Sequence, residues 1–233
     1  MPPRLNETMR SRFVRDDATD EEIEHEAATV GPLAASVREL VDAVIRTEVD
    51  EAEIEDVRRQ VDALTARLRA KGLEGSYGAR LSSTGRVRNW GNAVIGVRNA
   101  LAPPLEIVRD SERITCDFTL GAAYEGPPGL VHGGVSALIL DQALGEAAAA
   151  GGRPGMTGTL TLRYCEATPL GRLRVEAEID RVEGVKTFAR GRILACREDG
   201  SDPTVTVEAE GVFILPRWAR EKPEHPAATV DAI

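Results

Sequence analysis

A turn-rich loop that continues directly into an apolar helix decides the fold of this chain. Residues 124–134 read YEGPPGLVHGG, and residues 135–150 continue as VSALILDQALGEAAAA. The second run is apolar nearly all round rather than along one stripe, which predicts a helix buried on most of its sides. Asp141 lies within it, and an unpaired charge is costly in apolar surroundings. We therefore expect Asp141 to be functional, the alternative being a buried carboxylate that hydrogen-bond donors satisfy.

Alternating patterns on both sides of this helix predict an antiparallel sheet. A hairpin is expected before it, with strands over 105–109 and 113–120. Further strands separated by turn residues are expected after it, over 158–165, 170–182, 185–196 and 204–215. Such a sheet must wrap around the helix to cover it. We therefore predict an α+β chain with a hotdog fold over residues 85–216, an antiparallel sheet around one long central helix.

The residues outside this domain have a different character. Residues 1–30 are charged and poor in aromatics, which predicts a mobile acidic segment, and residues 217–233 are expected to form a loose tail. Residues 31–75 predict an N-terminal helical extension, whose second helix carries an apolar seam: Ile54, Val57, Val61, Leu64 and Leu68. The two helices could pack against the main domain or form an intersubunit coiled-coil arm. The absence of sustained heptads favours packing.

Charge and composition exclude several functions. A net charge of -9 argues against a general binder of nucleic acid or anionic membranes. Neither a signal peptide nor a membrane span is apparent, so we expect a cytoplasmic protein. The three histidines are scattered, which argues against a metal site. The glycines fit neither the dinucleotide-binding nor the P-loop spacing. We therefore expect no cofactor. The three cysteines have no CxxC pair and indicate reduced thiols.

Several motifs together resemble the PaaI-type hotdog acyl-CoA thioesterases. They are NALAPPL at 99–105, the loop at 124–134, Asp141, GMTGTL at 155–160 and PLG at 169–171. The most specific feature is a His-Gly-Gly with an Asp nine residues after the His and a Thr sixteen further on. The resemblance implies hydrolysis of an acyl-CoA or aryl-CoA thioester. It also implies a homodimer or homotetramer with active sites between subunits.

The resemblance also implies a set of catalytic residues. Asp141 would be the catalytic carboxylate, backbone amides of Gly133 and Gly134 would polarise the thioester carbonyl, and Thr157 from the facing subunit would place the water. Glycines at a helix N-terminus allow a carbonyl oxygen to approach the amides, and the helix dipole favours negative charge there. Asp141 could be a general base or a nucleophile that forms an anhydride, and both roles stay open.

Other residues are candidates for binding or for a purely structural role. His132 could bind substrate or fix the turn before the helix through hydrogen bonds. Gly126 and Pro127 could line the acyl or pantetheine channel, or simply lead into the helix. Arg163 and Lys186, with Arg190 and Arg192, could meet the phosphates of CoA or be solvated. Glu146 is the rival carboxylate, expected to be solvated or at an interface.

We therefore predict an acyl-CoA thioesterase, with two alternatives. The first is a non-catalytic acyl-CoA sensor with the N-terminal helices as its output module. The second is a hotdog enoyl-CoA hydratase, which is disfavoured because His132 lies in the turn before the helix rather than opposite Asp141.

Overall fold

The computed structural model describes residues 13–103, 105–111, 113–196, 201–216 and 220. The predicted tail over 217–233, apart from Arg220, and the first 12 residues of the predicted acidic segment lie outside the described residues. In chain order the strands are β1 Phe13–Arg15, β2 Ala79–Leu81, β3 Val87–Arg88, β4 Val108–Asp110, β5 Arg113–Leu120, β6 Met156–Tyr164, β7 Gly171–Glu183, β8 Lys186–Ala195 and β9 Thr204–Ile214. The α-helices are α1 Asp20–Arg46, α2 Glu51–Arg69 and α3 Gly133–Ala150.

A six-stranded antiparallel sheet forms the body of the fold, in the order β4-β5-β7-β8-β9-β6. Its strands begin and end within three residues of the predicted positions. Helix α3 lies against one face, where Ile139, Leu140 and Leu144 are buried with Phe213 of β9. The predicted arrangement of an antiparallel sheet and one long central helix is therefore confirmed.

Helix α1 begins at Asp20, inside the segment that was expected to be mobile. Thr19 and Glu22 form a capping box, in which the Glu22 backbone amide donates to the Thr19 hydroxyl (3.3 Å) and the Thr19 amide donates to Glu22 (2.9 Å). Ile23 is fully buried in a small second core with Trp90. The prediction of a mobile segment over residues 1–30 is thus wrong from Phe13 onward, because β1 pairs with β2, and a local cap and two buried side chains, Ile23 and Ala27, outweigh the polar composition.

The two N-terminal helices differ in how they pack. Helix α1 lies beside a short 3₁₀ helix, Ala122–Tyr124, and Arg38 Nε donates to the Ala102 carbonyl at 3.1 Å. Helix α2 has no buried residue along its described length. Packing against the main domain, the favoured interpretation, therefore describes α1 and not α2.

The three cysteines are free thiols in different environments. Cys116 is buried, Cys165 is exposed and Cys196 is intermediate. Burial raises the pKa of the Cys116 thiol to about 11. The neutral thiol is therefore the form that suits the core, and its contribution to stability is present at neutral pH and is lost as the pH rises through that value.

Candidate active site

Asp141 and Thr157 meet within one chain. The Thr157 hydroxyl donates a hydrogen bond to Asp141 Oδ1 at 2.8 Å. Asp141 projects from the middle of α3 and is half-buried, whereas Thr157 is exposed on the edge strand β6. The resemblance implied a threonine from the facing subunit, but here the threonine that contacts the carboxylate belongs to the same chain. A carboxylate with one oxygen held in this way keeps its other oxygen for a water or a substrate.

A β-bulge in β6 directs Thr157 toward Asp141. Thr157 pairs with Phe213 and Thr159 with Val212, so the register shifts at Gly158. Because paired residues share a face of the sheet, Thr157 lies on the helix side with buried Phe213, and Thr159 lies on the outer side. A Cβ on Gly158 would stand 2.7 Å from Ile214 Cδ1, so the glycine suits the bulge. Simple alternation would have placed both threonines on one face.

His132 caps the helix that carries Asp141. Its Nδ1 accepts from the Gly134 amide at 3.0 Å, and its own amide donates to the Tyr124 carbonyl at 2.9 Å. Through these contacts His132 fixes the turn before the helix, which is one of the two roles considered for it, the other being substrate binding. The Gly134 amide is thus already engaged, whereas the Gly133 amide has no acceptor among the described residues. The helix N-terminus therefore presents one free N–H group, that of Gly133.

The loop before His132 is a braced turn. The Gly126 amide donates to the Leu130 carbonyl at 2.9 Å, and a Cβ on Gly126 would stand 2.7 Å from His132 Cα. Gly129 has a φ of +74°, which favours glycine. Bonds from the Val131 amide to Thr168 (2.9 Å) and from the Leu170 amide to Gly129 (3.0 Å) tie the loop to the start of β7. Gly126 is therefore needed for close packing, while Pro127 is exposed beside it.

Tyr164 is a site residue that the sequence analysis missed. Its hydroxyl donates to the Gly133 carbonyl at 2.9 Å, and its ring lies 3.4 Å from where a Cβ of Gly133 would be. Tyr164 shares its face of β6 with Leu160 and Leu162, which pack against the core under α3. Counting in steps of two from those leucines would have placed Tyr164 on the helix side. The tyrosine therefore holds the Gly133–Gly134 peptide, whose N–H group donates to His132, and so fixes the residue that carries the free amide.

Glu146 is neither solvated nor left open for an interface, which corrects the sequence interpretation. The side chain is only 7% exposed. Its Oε2 accepts from Arg109 of β4 at 2.6 Å, and its Oε1 accepts from Gln142 at 2.7 Å. A carboxylate paired in this way on both oxygens has a structural role, because it neutralises a partly buried guanidinium. Glu146 is therefore no competitor of Asp141.

The proposed CoA contacts are not brought to Asp141 by this chain. Arg163 lies on the outer face of β6, is 81% exposed and stands 3.8 Å from Glu208. Lys186 begins β8 on the same outer face and is exposed. Arg190 and Arg192 are paired with Glu178 and Glu176 there. Helix α3 covers the opposite face of the sheet, so these cations and Asp141 are on different sides within one subunit.

One side of the site is open. Leu138, one helical turn before Asp141, is exposed, as are Met156 and Tyr164 on β6. Strand β6 ends the sheet order, and within the described residues no strand pairs with its other edge. An open helix face beside a free strand edge is a surface at which another chain could complete the site.

No group of His, Cys, Asp and Glu able to hold a metal ion occurs in the part of the chain that is described.

Comparisons with known proteins point to one family. The model of the family described as the thioesterase superfamily matches residues 128–202, which contain the helix cap, Asp141 and Thr157. A crystal structure of a thioesterase superfamily protein is 35% identical with a TM-score of 0.67, and the match covers 79% of this chain and 94% of that one. Such coverage exceeds the sheet domain alone, so the likeness extends into the N-terminal helices.

Curated relatives match a shorter part of the chain. Acyl-coenzyme A thioesterase THEM5 of Homo sapiens is 30% identical over 115 residues, 48% of this chain and 44% of the relative. Acyl-coenzyme A thioesterase THEM4 of Bos taurus is 36% identical over 107 residues, 45% of this chain and 42% of the relative. The match thus spans less than half the length of either relative.

Across the described residues, no helix is long and apolar enough to cross a membrane.

Proposed function

Because this chain belongs to the thioesterase superfamily, we propose that it hydrolyses an acyl-CoA or aryl-CoA thioester to the free acid and CoA. The observation that carries the proposal is the Thr157–Asp141 hydrogen bond of 2.8 Å, on the open side of a helix whose N-terminus presents a free amide. The substrate class is supported by two curated relatives that are acyl-coenzyme A thioesterases.

The Gly133 amide is the proposed donor to the thioester carbonyl oxygen. It has no acceptor among the described residues and lies at the positive end of the α3 dipole. Negative charge develops on this oxygen when a nucleophile adds to the carbonyl carbon, so a fixed N–H group stabilises the transition state more than the substrate. The Gly134 amide could join only by releasing His132 Nδ1. The bond from Tyr164 to the Gly133 carbonyl fixes the Gly133–Gly134 peptide, which directly follows the free amide.

The Asp141 carboxylate either activates a water molecule or attacks the thioester carbonyl carbon itself. As a general base it takes a proton from water, the water oxygen adds to the carbonyl carbon, and the C–S bond breaks to release CoA. As a nucleophile its oxygen adds directly, CoA leaves, and water then hydrolyses the mixed anhydride. Mass analysis of acid-quenched enzyme during turnover separates the two, because only the second route attaches the acyl group to Asp141.

Activity on a panel of acyl-CoA and aryl-CoA thioesters tests the proposal. Asp141→Asn should lower kcat by about 10²-fold or more, the usual scale for a positioned acid–base group. Asp180→Asn, an exposed carboxylate of β7, is the matched control and should leave the rate unchanged. Equal rates for wild type and Asp141→Asn would overturn the assignment. Tight acyl-CoA binding without turnover would favour the sensor, and hydration of an enoyl-CoA would favour the hydratase.

The proposed active form is a homodimer or a homotetramer. A second copy can cover the open side of α3 and pair with the free edge of β6 through a twofold axis. In that assembly Arg163 and Lys186 are candidates for the phosphates of CoA bound at the other subunit's Asp141, and Gly126 and Pro127 for the channel wall. Light scattering should then give a mass of at least two chains, whereas a monomer with full activity contradicts the assembly.

A further inference from the structure

Helix α2 exposes an apolar seam that the described part of its own chain leaves uncovered. Ile54, Leu64 and Leu68 are 50%, 52% and 59% exposed, and Val57 and Val61 between them are only partly buried. The five residues follow one another at steps of three, four, three and four, which is the spacing of a and d positions in a coiled coil. An exposed seam of this kind marks a contact surface rather than a solvated face.

The rest of α2 is built to be a helix without help from the core. Asp50 caps its first turn by accepting from the Glu53 amide at 3.0 Å. Arg58 pairs with Glu55 and Asp62, both at 2.8 Å, and Arg59 pairs with Asp56 at 2.7 Å. A 19-residue helix with these supports is still only marginally stable when its apolar side faces water. We therefore expect a partner to cover the apolar seam of α2.

We propose that α2 pairs antiparallel with α2 of a second copy of this chain. Glu53 and Arg67 flank the seam on one side, each seven residues from Gln60, and neither side chain has an ion-pair partner among the described residues. An antiparallel pair centred near Gln60 brings Glu53 of each copy to Arg67 of the other. A parallel pair would instead bring Glu53 toward Arg58 of the other copy, an arginine that Glu55 and Asp62 already neutralise, and would give Arg67 no acidic partner on the facing helix.

The charge of α2 argues against other occupants. The helix contains five acidic and four basic residues, so its polar face has no cationic excess. Helices that lie on anionic membranes are rich in Lys and Arg on that face. The helix is acidic at its start and basic at its end, so its charges complement those of an identical helix that runs antiparallel to it. Arg58 lies nearest to its own copy in this pairing, and Glu55 and Asp62 already neutralise it.

Thiol cross-linking of the full chain tests both the contact and its direction. In a background with Cys165→Ser and Cys196→Ser, a short bifunctional thiol reagent should join two chains that carry Gln60→Cys, because this position lies beside the twofold axis. Ala63→Cys, on the opposite face of α2, is the matched control and should not cross-link. Glu53→Cys should cross-link only when mixed with chains that carry Arg67→Cys.

Two further variants separate the contact from chance collision. Leu64→Asp should suppress the cross-link of Gln60→Cys, whereas the neighbouring Ala63→Asp should not, and circular dichroism should show both chains folded because both positions are exposed within one chain. Cross-linking of Glu53→Cys chains with Arg58→Cys chains, and not with Arg67→Cys chains, would mean a parallel pair and overturn the proposal. So would a yield for Gln60→Cys no higher than for Ala63→Cys. The readout does not involve hydrolysis, so it is independent of the proposed activity.

Discussion

At the scale of single residues, the site depends on which hydrogen-bonding groups are already used. His132 occupies the Gly134 amide, Tyr164 occupies the Gly133 carbonyl, and the Gly133 amide is left free. Thr157 occupies one oxygen of Asp141 and leaves the other. Gly133 and Asp141 are therefore each fixed by one hydrogen bond and each keep one polar group open, which is the preorganisation that the proposed reaction would use.

Thr157→Val should lower kcat by about 10-fold or more, because a hydrogen bond to a charged group contributes about 1.5–3 kcal/mol. The valine keeps the shape and the strand propensity but cannot orient Asp141. Thr159→Val is the matched control, since the bulge places that side chain on the outer face, and its rate should match wild type. Steady-state kinetics on one acyl-CoA decide. Equal losses in the two variants would contradict the role given to the bulge.

At the scale of elements, α3 is anchored to the far edge of the sheet by a buried ion pair. Arg109 of β4 and Glu146 of α3 are 2.6 Å apart, and Gln142 bonds the same carboxylate. Gln142 adjoins Asp141, so the pair also fixes the rotation of the helix that carries Asp141. The apolar residues around it leave little water to replace a lost partner.

Glu146→Leu alone should reduce the free energy of unfolding by about 3 kcal/mol, because it leaves Arg109 partly buried without its counter-charge. Adding Arg109→Met should recover most of that loss, since an apolar pair of similar volume replaces the ions. Urea unfolding of both variants and wild type gives the comparison. If the double variant is no more stable than the single one, the cost arises from packing and not from the unpaired charge.

At the scale of the whole molecule, the cations proposed for CoA lie on the face of the sheet away from α3. Within one subunit Asp141 and Arg163 lie on different sides of the sheet, so the proposed CoA contact of Arg163 depends on the proposed assembly. The two N-terminal helices differ in the same respect. Helix α1 packs on the main domain, whereas α2 has no buried residue along its described length and is the proposed contact with another chain.

Arg163→Ala should raise KM for an acyl-CoA about 10-fold, because a cation lost from a phosphate costs a charge-assisted hydrogen bond. An acyl-pantetheine substrate lacks the nucleotide phosphates and should show no change, which separates CoA binding from damage to the site. Arg181→Ala, whose partners are Asp180 and Glu183 at the end of β7, is the control. A similar rise in KM for both substrates would remove Arg163 from the CoA site.

Sequence periodicity by itself determined the central helix, the position of Asp141 on it, the strands of the large sheet and the glycine turn that begins α3. These features are encoded locally, in steps of two or of three and four residues and in turn residues. The cap of α1 was also readable, since Thr19 stands three residues before Glu22.

Only the tertiary structure decided what meets Asp141 and what meets Glu146. The face of Thr157 depends on a register shift between β6 and β9; Gly158 is compatible with a bulge, but the glycine alone does not fix which residues pair on either side of it. Tyr164 and Gly133 are 31 residues apart, and Arg109 and Glu146 are 37 apart, so these pairs form only when the sheet closes on the helix. Contacts between distant residues follow from strand register and packing, and a single sequence does not state either.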